Sequence, residues 1–287
     1  MGAVLRGLSK CWRGLGGWLG GLLGVLAAGS FWVTGQVVPP PVGVAPAGLS
    51  ALLVGLGGCR GVAAEVLWWR IGQLQEEERF AEMVPLMELL VVLEPSSEEA
   101  WVYHGWNLAY NVSSAHRSAA ERWQWVLQGI QLLEEGLRVV PASQRLMREL
   151  GWIWESKIGG DLDSAGAYYR FRCGEVPAPA DGAAFERALG VGVDWRRPQM
   201  RALYWYWRAE AGEARVRVLA SLVRAGEGEV WLPLLLRELR GGVWEAMGEP
   251  RQAGMGRFLS AARGHFPALA GEIEAFLREV QCDSNNW

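Results

Sequence analysis

The chain has 287 residues and a formal net charge of −3, enough length for one elongated domain or two compact ones. Residues 1–64 carry four basic groups (Arg6, Lys10, Arg13, Arg60) and no acid, which leaves −7 on the remainder. A body of that sign lacks the clustered cations that phosphate recognition demands, so nucleic acid is excluded as an expected partner. The four cysteines (Cys11, Cys59, Cys173, Cys282) are too scattered for a zinc site or a disulfide framework.

Gly14–Cys59 runs for 46 residues without Asp, Glu, Lys or Arg, and the first acid of the chain is Glu65. Within it Gly14–Val38 offers 25 uncharged residues, against the roughly 20 a helix needs to cross the hydrocarbon core. Pro39-Pro40-Pro41 ends that helix, because proline lacks the amide donor and clashes with the turn before it. Arg6, Lys10 and Arg13 favour an inside amino terminus, and Trp12, Trp18 and Trp32 lie toward the ends, where indoles prefer the interface. The expected placement is a single-pass anchor in the inner, cytoplasmic membrane with the body facing the periplasm. Ala27-Ala28-Gly29-Ser30 leaves open a cleaved signal peptide, although the length of the run favours an uncleaved anchor. Val42–Cys59 holds Pro46 and five glycines in eighteen residues, so an interfacial helix suits it better than a second span. Gly16/Gly20, Gly17/Gly21 and Gly20/Gly24 are small-xxx-small pairs through which two spans could self-associate.

From Glu65 onward the pattern is amphipathic helix, and no alternating β pattern appears. Helices are expected near Ala63–Glu77 and Phe80–Leu93. Pro95, Pro141 and Pro177 then mark a repeat, 46 and 36 residues apart. The tetratricopeptide pattern has a first helix with Leu-Gly and an aromatic, a second with a small residue four before an aromatic, and then proline. Leu150-Gly151 with Trp154 takes the first-helix slot, and Ala165 with Tyr169 the second. One unit earlier, Trp101 with His104-Gly105 takes the first slot and Gly129 with Leu133 the second. The surplus residues are assigned to a polar insertion at Asn111–Glu121. Glycines at these slots let two antiparallel helices pack backbone to backbone. Beyond Pro177 the period fades. Pro198 marks a first helical turn, and further helices are expected near Gln199–Glu210, Ala214–Ala225, Val230–Met247, Gln252–Arg263 and Ala268–Val280. The fold class is therefore all-α, a tetratricopeptide-like solenoid of helical hairpins preceded by a transmembrane helix. Its expected domains are 1–38 (tip and anchor), 39–59 (Pro/Gly-rich apolar linker), 60–177 (repeats) and 178–287 (carboxyl-terminal helical extension).

Several runs resemble the landmarks of a known bacterial group. They are Trp106-Asn107-Leu108-Ala109-Tyr110-Asn111, Arg122-Trp123-Gln124-Trp125, Leu150-Gly151-Trp152, Lys157-Ile158-Gly159-Gly160-Asp161 and Asp194-Trp195-Arg196-Arg197-Pro198. The group consists of uncharacterised, membrane-anchored proteins with tetratricopeptide-like repeats and one amino-terminal span. The resemblance covers Leu56–Trp207, and implies fold and anchoring without an activity.

His104, Asn107 and Asn111 fall on one helix face beside Trp106 and Tyr110. Such a cluster can line a groove that reads a peptide, or it can be an internal network, since buried polar groups must find partners. Arg122 and Trp125 either fix the second helix by stacking or present an aromatic anchor of the kind that dominates interfaces. With Trp154, these six residues are the candidate protein-binding set. Lys157, the body's one lysine, is expected to cap the carboxyl end of its helix. No HExxH, GxSxG or phosphate loop occurs, and Asp161 and Asp163 lack the glutamate that would complete a calcium loop. The expectation is a tethered interaction scaffold with no cofactor and no catalysis. The alternatives are a subunit assembled through the glycine-rich span, or an enzyme using the His104 cluster.

Overall fold

Apolar residues recurring every three to four positions bury one stripe of each helix, and among the described residues all regular structure is helical. The computed structural model describes residues 60–284. The expected span at 14–38 and the segment 42–59 lie outside them. Among the described residues no helix is long and apolar enough to cross a membrane. The chain divides into two compact units after Glu94.

The first unit pairs α1 (Arg60–Glu76) with α2 (Phe80–Leu93). Ala64, Leu67, Ile71 and Leu74 of α1 close on Met83, Met87 and Leu90 of α2. The Arg60 guanidinium donates to the Leu93 carbonyl at 2.7 Å, satisfying an acceptor that the end of α2 leaves open. Val62, Val66 and Trp69 line the opposite side of α1 and are exposed.

The second unit begins with two first helices built alike. Two residues after Pro95 and Pro141, Ser97 and Ser143 cap α3 (Glu98–Asn107) and α5 (Gln144–Trp152). The Ser97 hydroxyl accepts from the Ala100 amide at 3.3 Å, and that of Ser143 from the Leu146 amide at 3.1 Å. Such a cap is worth about 1 kcal/mol. Each helix then widens into a π-type turn, Leu108–Val112 after α3 and Ile153–Ile158 after α5. A serine bonds back one turn in both places: Ser113 to the Ala109 carbonyl at 2.6 Å, Ser156 to that of Trp152 at 2.7 Å. The stretch expected as a polar insertion, Asn111–Glu121, is therefore mostly helix. It comprises the end of the wide turn, one further turn (Ser113–Ala115), a short link, and the start of α4 (Ala119–Val139).

The α3–α4 crossing is as close as its glycines allow. A Cβ on Gly129 would lie 2.6 Å from the Gly105 carbonyl oxygen and 3.1 Å from the Ala109 amide nitrogen. One on Gly105 would instead meet the Leu133 side chain at 2.6 Å. A side chain can swing aside and a helix backbone cannot. Gly129→Ala is therefore expected to cost about 3 kcal/mol and Gly105→Ala distinctly less. Urea unfolding of the two variants checks the order; equal costs would mean that the helices slide apart freely.

The partner of α5 differs from expectation. A Cβ on Gly151 would stand 2.5 Å from the Tyr206 ring of α8 (Pro198–Arg208), and α8 is the main neighbour of α5. The segment expected as the second helix, α6 (Gly166–Arg172), is too short to cover α5 and lodges partly on α4, where Tyr169 stacks on Trp123 with centroids 5.8 Å apart. With α7 (Gly182–Leu189) it forms an excursion between the paired helices α5 and α8. Phe185 anchors α7 among Trp195, Tyr204 and Trp207. Buried Arg201 donates to the carbonyls of Val176, Pro177 and Trp195, tying down the middle of the excursion and its carboxyl end. Beyond it α9 (Gly212–Leu222) pairs with α10 (Gly228–Glu238), and α11 (Glu249–His265) with α12 (Ala270–Ser284). The helix expected over Val230–Met247 breaks at Gly242, whose φ of 97° lies in the left-handed region that favours glycine.

Candidate functional site

The six candidate residues occupy three settings. On α3, His104 and Asn107 are buried, and Asn111 in the wide turn after it is half-buried. The Asn107 amide donates to the Tyr103 carbonyl at 2.8 Å, and its oxygen accepts from the Asn111 amide at 2.7 Å. This ladder runs along a single helix. His104 has no such support: both ring nitrogens are buried without a partner, and burial pushes its pKa down from 6.5 to about 3. At the start of α4, half-buried Trp125 stacks on the imidazole of His116, centroids 5.6 Å apart. Trp154, in the wide turn after α5, is buried beneath the Arg201 guanidinium at 4.8 Å.

Arg122 leads to a centre that was not legible in the sequence. Its guanidinium donates to the His116 carbonyl at 2.7 Å and to Asp163 Oδ1 at 2.9 Å. The Lys157 ammonium reaches the other oxygen, Oδ2, at 2.6 Å. The Ala165 amide (2.9 Å) and the Tyr169 hydroxyl (3.1 Å) also donate to this carboxylate. Both ends of the Lys157–Asp163 pair are only 5% exposed. Burial alone would raise the Asp163 carboxyl; the bonds and charge of Lys157, with the Ala165 amide and Tyr169, reverse that and hold it at about 2. Lys157 therefore does not cap its helix into solvent. It turns inward, bonds Ser114 at 3.3 Å, and lies 5.4 Å from the Tyr110 ring centroid. The visible signal was a lone lysine six residues before an aspartate, across Gly159-Gly160. A carboxylate with four donors has little capacity left for a substrate, and its geometry serves to pin three chain segments together.

A second arrangement is partly exposed. Glu99, Tyr103, Trp106 and Tyr110 follow one stripe of α3 and its wide turn, and Arg145, Glu149, Trp152 and Ser156 repeat it 46 residues later. The two stripes join at both ends: Arg145 pairs with Glu99, and the Tyr110 and Ser156 hydroxyls lie 2.6 Å apart. Trp106 stacks on Tyr110 with centroids 5.2 Å apart, and Trp152 is 43% exposed. On the far side of α5, Arg217 of α9 grips Glu155 through both oxygens at 2.6 and 2.7 Å, and lies over the rings of Trp152 and Tyr206.

Among the described residues no group of three His, Cys, Asp or Glu is placed to hold a metal ion. Comparison with protein-family models, curated proteins and solved structures finds no match to this chain.

Proposed function

We propose that this chain is a membrane-tethered scaffold of tetratricopeptide-like helix pairs, stacked as a solenoid, that holds a protein or peptide partner in the cell envelope. It takes its place in the bacterial membrane-anchored group whose landmarks it resembles, with residues 14–38 as the tether and the body in the periplasm. The observation that carries the reading is the aromatic stripe Tyr103, Trp106 and Tyr110 of α3 and its wide turn, beside which α5 sets Trp152 at the position equivalent to Trp106. Stacked helix pairs present such stripes side by side, and tryptophan and tyrosine are the residues that carry interface energy. Of the six candidates, Asn111, Arg122 and Trp125 are partly exposed. Trp154 packs beneath Arg201, and His104 and Asn107 are buried on α3.

A tag on the carboxyl terminus, labelled from outside the inner membrane, tests the placement, and a photo-crosslinking residue at position 111 tests the face. The expected result is an accessible tag and one reproducible partner, lost on Trp106→Ala or Trp152→Ala. A protected tag would overturn the periplasmic placement. The glycine pairs at 16/20, 17/21 and 20/24 favour the second reading, a structural subunit assembled through its span. In that case the partner is lost on Gly17→Leu and Gly21→Leu and survives the tryptophan variants.

A further inference from the structure

The side of α1 turned away from α2 carries Val62, Val66 and Trp69, which are 67%, 39% and 66% exposed. Spaced four and then three residues apart, they form one stripe about 10 Å long. Glu65 borders the stripe on one side and Arg70 on the other. Arg60, Glu65, Arg70 and Glu76 are the charges of α1, and they cancel. Apolar contact, not net charge, therefore decides what covers the stripe. Ala64, Leu67, Ile71 and Leu74 are already buried on the other side, so the stripe can be covered without opening the α1–α2 pair.

The stripe sits where the chain leaves its apolar end. The charge-free run Gly14–Cys59 stops directly before Arg60, with no linker between the run and α1. Trp69 lies nine residues beyond Arg60, about 14 Å along the helix. A membrane segment that leads straight into a helix holds that helix at the lipid–water boundary at high effective concentration. A soluble partner has to reach the same stripe by diffusion. An apolar stripe bordered by charges and bearing a tryptophan suits a helix in the interface plane, with its indole at headgroup level.

We infer that α1 lies on the bilayer surface, with Val62, Val66 and Trp69 in the boundary between headgroups and acyl chains. The inference rests on the membrane-tether reading and adds a second lipid contact, which sets the side of the α1–α2 pair that faces the membrane.

The test places a photo-crosslinking residue at position 69 of the full chain, reconstituted in vesicles of phosphatidylethanolamine and phosphatidylglycerol. Matched samples carry it at position 25, inside the expected span, or at position 81, exposed on α2. Mass spectrometry reads the adducts after irradiation. The expected result is phospholipid attached at 25 and at 69 and none at 81. Adding Val62→Ser and Val66→Ser should lose most of the adduct at 69 and keep that at 25, with circular dichroism unchanged because both side chains are exposed. Lipid at 25 with none at 69 would overturn the surface contact and leave the tether standing. Equal lipid yields at 69 and 81, or attachment of 69 to a second chain or to residues 42–59, would do the same. Lipid at none of the three positions would overturn both.

Discussion

Asp163→Ala is expected to destabilise the second unit by about 3–5 kcal/mol, the usual consequence of leaving a buried charge without its partner. The loss falls on Lys157, which is 5% exposed and has no other carboxylate at bonding distance among its described contacts. Lys157→Met should cost less, because Asp163 would keep Arg122, the Ala165 amide and the Tyr169 hydroxyl. The double variant Lys157→Met/Asp163→Leu should recover only part of the Asp163→Ala loss, since it removes the stranded ammonium but leaves the Arg122, Ala165 and Tyr169 donors without their acceptor. Chemical unfolding followed by circular dichroism reads all three. Equal losses in the two single variants would show that the pair contributes shape and not charge. The Asp163 carboxyl titrates lower in the folded state, about 2 against an ordinary 3.8. Its contribution is therefore present above pH 3.8 and is lost as pH falls through 2.

His104→Leu is expected to stabilise the protein, and to do so increasingly as pH falls. His104 corresponds, 46 residues earlier, to Leu150, which is fully buried. Leucine therefore suits this position in the repeat, whereas the imidazole leaves two nitrogens without partners. Removing them should gain about 1–2 kcal/mol at neutral pH. Below 6.5 the unfolded chain takes up a proton that the folded imidazole, at about 3, refuses. Stability attributable to this residue is thus complete above pH 6.5 and drains by about 1.4 kcal/mol per pH unit on the way to 3. Melting curves between pH 7 and pH 4 should show the wild type falling faster than His104→Leu; parallel curves would place a donor or acceptor on the ring. The Asp163 window lies lower, so the two effects separate on one pH axis.

Helix positions were legible wherever one stripe of a helix is apolar and its ends carry a signal. Phe80–Leu93 was expected with the bounds it has, and Pro198 opens α8 as a proline at a first turn does. The Gly105–Gly129 crossing was legible too, because only a missing side chain suits the second-helix slot. What the sequence hid depends on distant partners. The two wide turns go with serine hydroxyls bonding back into the helix, and the pattern of apolar residues does not register them. The excursion α6–α7 places two helices between α5 and its real partner α8, so the nearest helix in sequence was mistaken for the nearest in space. The 46-residue spacing looked like a shorter repeat with an insertion, since the surplus falls where Asn111–Glu121 is polar. Lys157 and Asp163 were both noticed, yet the pin they form needs Arg122, 41 residues before Asp163.

The burial of Lys157 has a chemical consequence. It is the single lysine of residues 60–284, and its amine is enclosed by Asp163, Ser114 and the Tyr110 ring. Amine-reactive esters and aldehyde crosslinkers would find no accessible ε-amino group on these helices while they stay folded, and a lysine-specific protease would have one bond to attack, behind a closed side chain. Acylation at Lys157 would require the segment around Asp163 to open. The rate of that modification under native conditions would then read the frequency of local opening at one known atom, with no competing site among these residues to subtract.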